Sequence, residues 1–115
     1  MAEGTDYSVT DVPTRHRFEI KADHDLAGFT EYRRSRRLIA FLHTEVAPEF
    51  EGHGVGSRLI STALDTARNH QMRVLPFCPF VRGYIEKHTD AYLDLVPANL
   101  REDFSLPAPA EAPQS

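Results

Sequence analysis

The run Glu51-Gly52-His53-Gly54-Val55-Gly56-Ser57 places three of the chain's six glycines within five residues. Glycine lets the backbone approach a ligand closely and adopt positive φ. The run lies between a strand pattern and a strongly amphipathic helix pattern, so the glycines coincide with a helix start. There the first-turn N–H groups have no internal partner and sit at the positive end of the helix dipole. A phosphate or diphosphate is the natural occupant; the alternative is a tight strand-to-helix turn with no ligand. Two nucleotide motifs do not fit. A P-loop needs a Gly-Lys pair, and there is none. A dinucleotide fingerprint started at Gly52 puts Ser57 where its third glycine belongs, and the next strand ends Leu75-Pro76-Phe77 without the expected acid.

Three further positions are of residue types that do chemistry. Cys78 ends a strand pattern and Pro79 follows it. Proline favours the first helical position, which makes Cys78 the N-cap. A thiol at a helix start is where a thiolate nucleophile forms, and a thioester suits it as electrophile; the alternative is a small buried hydrophobe. His43 and Glu45 fall on one face of a strand by alternation. A neutral imidazole there can accept a proton from an amine or from Cys78, with Glu45 orienting it. The alternatives are a hydrogen-bonded strand histidine and a surface charge. The other five histidines, His16, His24, His53, His70 and His88, are scattered and suggest no metal site.

The elements that must position these residues follow from periodicity. Phe18 and Ile20 alternate with charged neighbours, and Asp23-His24-Asp25 reads as a hairpin turn. Leu26 to Tyr32 is a second strand, Arg33 to Arg37 turns the chain, and Leu38 to Val46 is a longer strand rich in branched and aromatic residues. Short connections make these three strands antiparallel. Val55, Leu59, Ile60, Ala63, Leu64 and Ala67 form one apolar stripe, predicting a helix over about residues 54–69. Met72 to Phe77 is a fourth strand, and the crossover makes it locally parallel to the third. A second helix begins after Cys78 and runs to about His88, with Phe80, Val81, Tyr84 and Ile85 as its apolar positions.

Composition bounds the rest. The chain has 115 residues, enough to bury a core without a disulfide or metal staple. A single cysteine forms no internal disulfide, no apolar run reaches the ~20 residues of a membrane helix, and the polar start is unlike a signal peptide. The expected location is a reducing cytoplasm. A net charge of −4 argues against a nucleic-acid partner. The local cluster Arg33, Arg34, Arg36 and Arg37 reads first as a solvated turn and second as an anchor for a phosphate-bearing ligand. Residues 1–14 and the Pro/Ala-rich 101–115 are expected to be disordered, leaving 15–100 as the domain.

LHTEVAPEFEGHGVGSRLISTAL, VLPFCPFVRGYIEKH and YLDLV together resemble the Gcn5-related N-acetyltransferase superfamily, most closely its small one-domain subfamily, over about residues 17–97. The resemblance implies an α/β fold of α+β type: a three-strand antiparallel meander, a helix, a parallel strand and a second helix. It implies acetyl-CoA as cofactor. The diphosphate would lie on backbone N–H groups of the Gly52–Ser57 run, which is Gly52, His53, Gly54, Val55, Gly56 and Ser57. Pantetheine would run along Thr44, Glu45 and Val46, where the sheet opens beside Pro76. It places Cys78 in the active site and Tyr84 where a tyrosine protonates the leaving thiolate. Two features depart from the pattern. Glu51 stands where Gln or Arg is usual, and Leu38 to Leu42 lacks the catalytic acid of larger relatives, leaving His43, Glu45 or water as base. With no helical pattern before residue 17, the acceptor site should be shallow and open, suited to a small amine, an exposed lysine or a protein terminus. The expected protein is an N-acetyltransferase, by direct attack or through an acetyl-Cys78 relay with His43 as base. It is a monomer or weak dimer without a nucleic-acid or membrane partner. Two rivals remain: a non-catalytic CoA-binding module, and an interaction domain whose glycines only turn the chain.

Overall fold

Alternating apolar residues build four antiparallel strands before any long helix appears. The computed structural model describes residues 5–107. The strands are β1 (Tyr7–Val12), β2 (Arg17–Ala22), β3 (Asp25–Arg34) and β4 (Leu38–Val46). Helix α1 (Val55–Asn69) crosses to β5 (Arg73–Pro76), followed by α2 (Pro79–Lys87) and the short α3 (Thr89–Tyr92). The sheet order is β1-β2-β3-β4-β5, with only β4 and β5 parallel. This is the expected mixed α/β architecture, with a four-strand rather than a three-strand meander.

Helix α1 packs across the sheet with all six stripe residues buried. Leu59, Ile60 and Leu64 are fully enclosed, each worth about 1.5–3 kcal/mol against exposure. The rings of Phe18, Tyr32 and Phe41 meet at 5.4–6.5 Å between centroids beneath it. Helix α2 lies against β4, β5 and α1, and buries Val81 and Ile85. No helix among the described residues is long and apolar enough to cross a membrane.

Two expectations of disorder are corrected. Tyr7–Val12, inside the segment expected to be disordered, pairs in full antiparallel register with β2. An edge strand needs only one apolar face, and Tyr7 and Val9 supply it by packing against the core. Asp11, which reads as a solvated charge in sequence, accepts a hydrogen bond from the Tyr32 hydroxyl and pairs with Arg34 at 3.3 Å. At the other end, Phe104 and Leu106 are buried, and the Phe104 ring meets Phe77 edge-on at 5.2 Å. Residues 1–4 and 108–115 of those segments lie outside the described residues.

Strand β4 carries a bulge that sets the site. Glu31 pairs with His43 and Tyr32 with Phe41, so Leu42 is an extra residue with no partner on β3. A bulge shifts the side-chain phase by one. Ile39 and Phe41 face the core before it; Thr44 takes that face after it, opposite the fully buried Thr30. His43 and Glu45 therefore point to the other side of the sheet.

Two buried phenols make the fold sensitive to alkali. Burial, then Asp11, pushes Tyr32 up to about 12. Burial, then Asp65, whose carboxylate accepts from the Tyr92 hydroxyl at 2.9 Å, pushes Tyr92 up to about 12. The folded values lie above the ordinary phenol value of about 10. The associated stability is thus fully present below pH ~10 and lost as pH rises toward 12. In an ultraviolet titration, two of the four tyrosines should ionise only as the fold is lost, and Tyr32→Phe should reduce the alkaline sensitivity. Four tyrosines ionising freely with the fold intact would contradict this.

Candidate active site

The geometry begins where β4 and β5 part. Strand β5 pairs with β4 only over Leu38–Phe41, and Pro76, which has no ladder donor, is its last residue opposite Phe41. The Cys78 N–H then donates to the Phe41 carbonyl at 2.9 Å. From Leu42 to Val46 that edge of β4 has no strand partner among the described residues.

Beside this free edge opens a cleft of about 680 Å³, lined by the end of β4, the turn at Pro48–Phe50 and the start of α1. Gly52 and Gly54 have φ of 85° and 75°, values that favour glycine. Gly54 caps α1 without any side-chain hydrogen bond. The first intrahelical bond is donated by Arg58 N–H to the Gly54 carbonyl at 3.0 Å, so the amides of Val55, Gly56 and Ser57 are the helix's orphan donors. These donors and the dipole favour an anion, whereas Glu45 and Glu51 on the same wall oppose one. Among the described residues, no lysine or arginine lines this cleft.

Of the residues expected to bind cofactor, Thr44, Glu45, Val46, Gly52, Gly54, Val55, Gly56 and Ser57 line the cleft; His53 does not. Pro48, Phe50 and Phe80 line it unforeseen. Phe80 reads as a core position from helical spacing but is 44% exposed. Its ring rests on the α1 N-terminus, where a Cβ on Gly56 would come within 2.4 Å of it. The glycine spacing was a visible signal for the cradle, yet nothing in the sequence announced that an aromatic ring needs Gly56.

The candidate catalytic residues separate into groups. Cys78 is the α2 N-cap with Pro79 after it, as expected, and is buried. Its Sγ lies 3.2 Å from Thr44 Oγ1, which lies 2.9 Å from Thr30 Oγ1, a hydroxyl chain into the core. His43 Nε2 and Glu45 Oε2 are 2.8 Å apart on the opposite face, both half exposed, beside the Phe29 ring. The structure thus brings His43 to Glu45 and Cys78 to Thr44, but sets His43 and Cys78 on opposite faces of β4. A relay with His43 as the base for Cys78 is not served by this arrangement.

Tyr84 faces neither pair. It stacks on His88 at 4.2 Å and lines a second cleft of about 270 Å³ with Ser57, Phe80 and Lys87. The arginine cluster is remote from the cradle. Arg33 and Arg34 belong to β3 and Arg37 precedes β4, whose nine residues span roughly 27 Å to the cleft. It does not anchor a ligand bound there.

A family model described as GCN5-related N-acetyl-transferase matches residues 17–95. No curated protein matches the chain. Among solved structures, a GCN5-like protein from Staphylococcus aureus, determined by NMR, has a TM-score of 0.63 at 22% identity over 94% of this chain and 96% of that one. This likeness is one of fold. Ard1 from Thermoplasma volcanium is 26% identical over 51% of this chain, which spans 41% of Ard1's length, with a TM-score of 0.46. Nourseothricin acetyltransferase is 28% identical over 59% of this chain and 55% of its own, with a TM-score of 0.43. The parted β4–β5 pair, the uncapped helix start and a family match over most of the described residues lead to one conclusion: the chain belongs to the GCN5-related N-acetyltransferase family.

Proposed function

We propose that this protein is an acetyl-CoA-dependent N-acetyltransferase that transfers an acetyl group directly to an amine reaching the open face of the sheet. The observation that carries the reading is the uncapped α1 N-terminus opening onto a cleft beside the unpartnered edge of β4. Bound acetyl-CoA would supply an activated acyl thioester. The amides of Val55, Gly56 and Ser57 would hold its diphosphate, and Thr44 to Val46 would offer free backbone groups to pantetheine. His43 and Glu45 would take up the proton an amine must lose. Lysine-type amines have a pKa of about 10.4, so a base or a desolvated site is required. Glu45 lies on the cleft wall and holds His43 Nε2 at 2.8 Å, which makes the pair the proton acceptor at the rim.

Direct transfer is favoured over a cysteine relay by the surroundings of Cys78. Its thiol is 3% exposed and its side-chain partner is a threonine hydroxyl, a poor base. After incubation with acetyl-CoA, the intact protein should show no added acetyl mass on Cys78. An adduct that disappears in Cys78→Ala would establish the relay instead. His43→Ala should lower kcat about 100-fold, the usual worth of one acid–base group, while CoA affinity measured by calorimetry stays unchanged. CoA binding without turnover on any amine would leave a non-catalytic CoA-binding module. No binding at all would leave the interaction-domain reading.

A further inference from the structure

The arginine-rich β3–β4 turn, which the active site leaves unused, meets a second connection in space. Ser35 N–H donates to the Leu38 carbonyl at 2.9 Å and closes the turn. Arg73 N–H donates to the Arg37 carbonyl at 2.7 Å, which ties the turn to the connection between α1 and β5. Between the two lies a pocket of about 310 Å³ lined by Arg36, Arg37, His70 and Gln71. A shallow hollow of about 570 Å³, lined by Ser35, Arg36, Arg37 and Leu38, adjoins it through the two shared arginines. Leu38 is 39% exposed there.

Guanidinium, imidazole and carboxamide groups all supply N–H donors, and among the described residues no carboxylate lines the pocket. Arg33, Arg36, Arg37 and Arg73 form no ion pair among the described residues, although the chain carries 17 carboxylates. Helix capping does not account for these cations. The last carbonyls of α1, those of Thr66, Ala67 and Arg68, already accept from the N–H groups of His70, Met72 and Gln71. Gln71 is an independent observation. It sits at φ 58°, where a helix end favours glycine or asparagine, yet it brings a long carboxamide to the pocket wall. The chain as a whole carries −4, so without these arginines the remainder is more negative still, and the positive field is confined to this end.

We propose that this pocket binds a phosphate monoester carried on a protein segment. Arg36, Arg37, His70 and Gln71 hold the phosphoryl oxygens, and a neighbouring apolar side chain of the segment lies on Leu38. Arginine's planar fork matches phosphate oxygens in pairs. The adjoining hollow extends the site along the turn, as a chain-borne phosphate requires. A long polyanion such as a nucleic acid is disfavoured, because beyond this end the net negative charge repels it. The site lies roughly 27 Å from the acetyl-transfer cleft along β4. Its failure would leave the reading of that cleft untouched.

The test is retention of the full chain on immobilised random peptide pools with a fixed central phosphoserine or serine, followed by fluorescence anisotropy on a selected phosphopeptide. The phosphoserine pool should retain the protein and the serine pool should not. Arg36→Gln and Arg37→Gln should each weaken binding about tenfold. Arg33→Gln removes the same charge from outside the pocket, since its guanidinium donates to the Tyr32 carbonyl, and should cost less than about threefold. Leu38→Thr should weaken the phosphopeptide and leave inorganic phosphate binding unchanged. All four positions are exposed, so melting curves should stay close to that of wild type. Equal retention on the two pools, retention on neither, or equal losses in Arg33→Gln and Arg36→Gln would overturn the pocket assignment. Inorganic phosphate binding as tightly as the phosphopeptide would overturn the protein-borne source and leave a small-anion site. Tighter binding to a single-stranded oligonucleotide than to the phosphopeptide would make this end a nucleic-acid surface instead.

Discussion

Gly54→Asp is expected to leave the fold intact and to abolish CoA binding. The two effects have separate causes. Gly54 sits at φ 75°, and a Cβ added there would meet nothing within 4 Å. Aspartate is among the residues that tolerate this region, at a cost of roughly 1–2 kcal/mol. Its charge is favourable at a helix start, which offsets about 0.3–1 kcal/mol of that cost. Thermal stability should therefore fall only modestly, by about 1 kcal/mol. Binding responds far more strongly, because the carboxylate lands beside the amides that would hold a diphosphate. At about 5 Å and an effective dielectric near 20, each like-charge pair costs about 3 kcal/mol. Against two charges the affinity falls by more than about a thousandfold. Calorimetry and a melting curve on the same sample read both. Glu51→Gln should act oppositely and tighten CoA several-fold, since it removes a charge already on that wall. Undiminished binding in Gly54→Asp would mean that the glycines only turn the chain.

Phe41→Ala should destabilise the domain by about 3–5 kcal/mol, a large part of the ~5–15 kcal/mol that holds a typical domain together. Phe41 is fully buried, its ring meets Phe18 and Tyr32, and it is the last β4 residue paired with β5. Truncation leaves a cavity at the point where the sheet parts. The neighbouring Leu42→Ala should cost about 0.5 kcal/mol or less, because Leu42 is the bulged residue and is 41% exposed. Urea denaturation of both variants checks the contrast. Equal losses would mean that β4 runs without a bulge and that Leu42 is packed.

Much of this architecture was legible in the sequence because its signals are local. The stripe from Val55 to Ala67 dictates one buried face wherever the helix packs, and all six of its residues are buried. Cys78-Pro79 marks a helix start through the missing N–H of proline. The strand-helix-strand order makes β4 and β5 parallel because a crossover leaves no other short path. Gly52, Gly54 and Gly56 announce the cradle because positive φ and close approach are properties of the residue itself.

What the sequence by itself determined, then, was the order of elements from β2 to α2 and the glycine-rich helix start. Only the tertiary structure decided the rest, because those features depend on partners far along the chain. Pairing with Glu31 and Tyr32 places the bulge at Leu42, and that one-residue shift turns Thr44 toward Cys78 and His43 away from it. The hairpin partner β2 makes Tyr7–Val12 an ordered strand although its own composition is polar. The approach of α2 to α1 lays Phe80 on Gly56 and joins the two clefts along a shared wall. A residue's type and spacing state what it can do; which face it reaches and which group it meets are set by the register of the strand beside it.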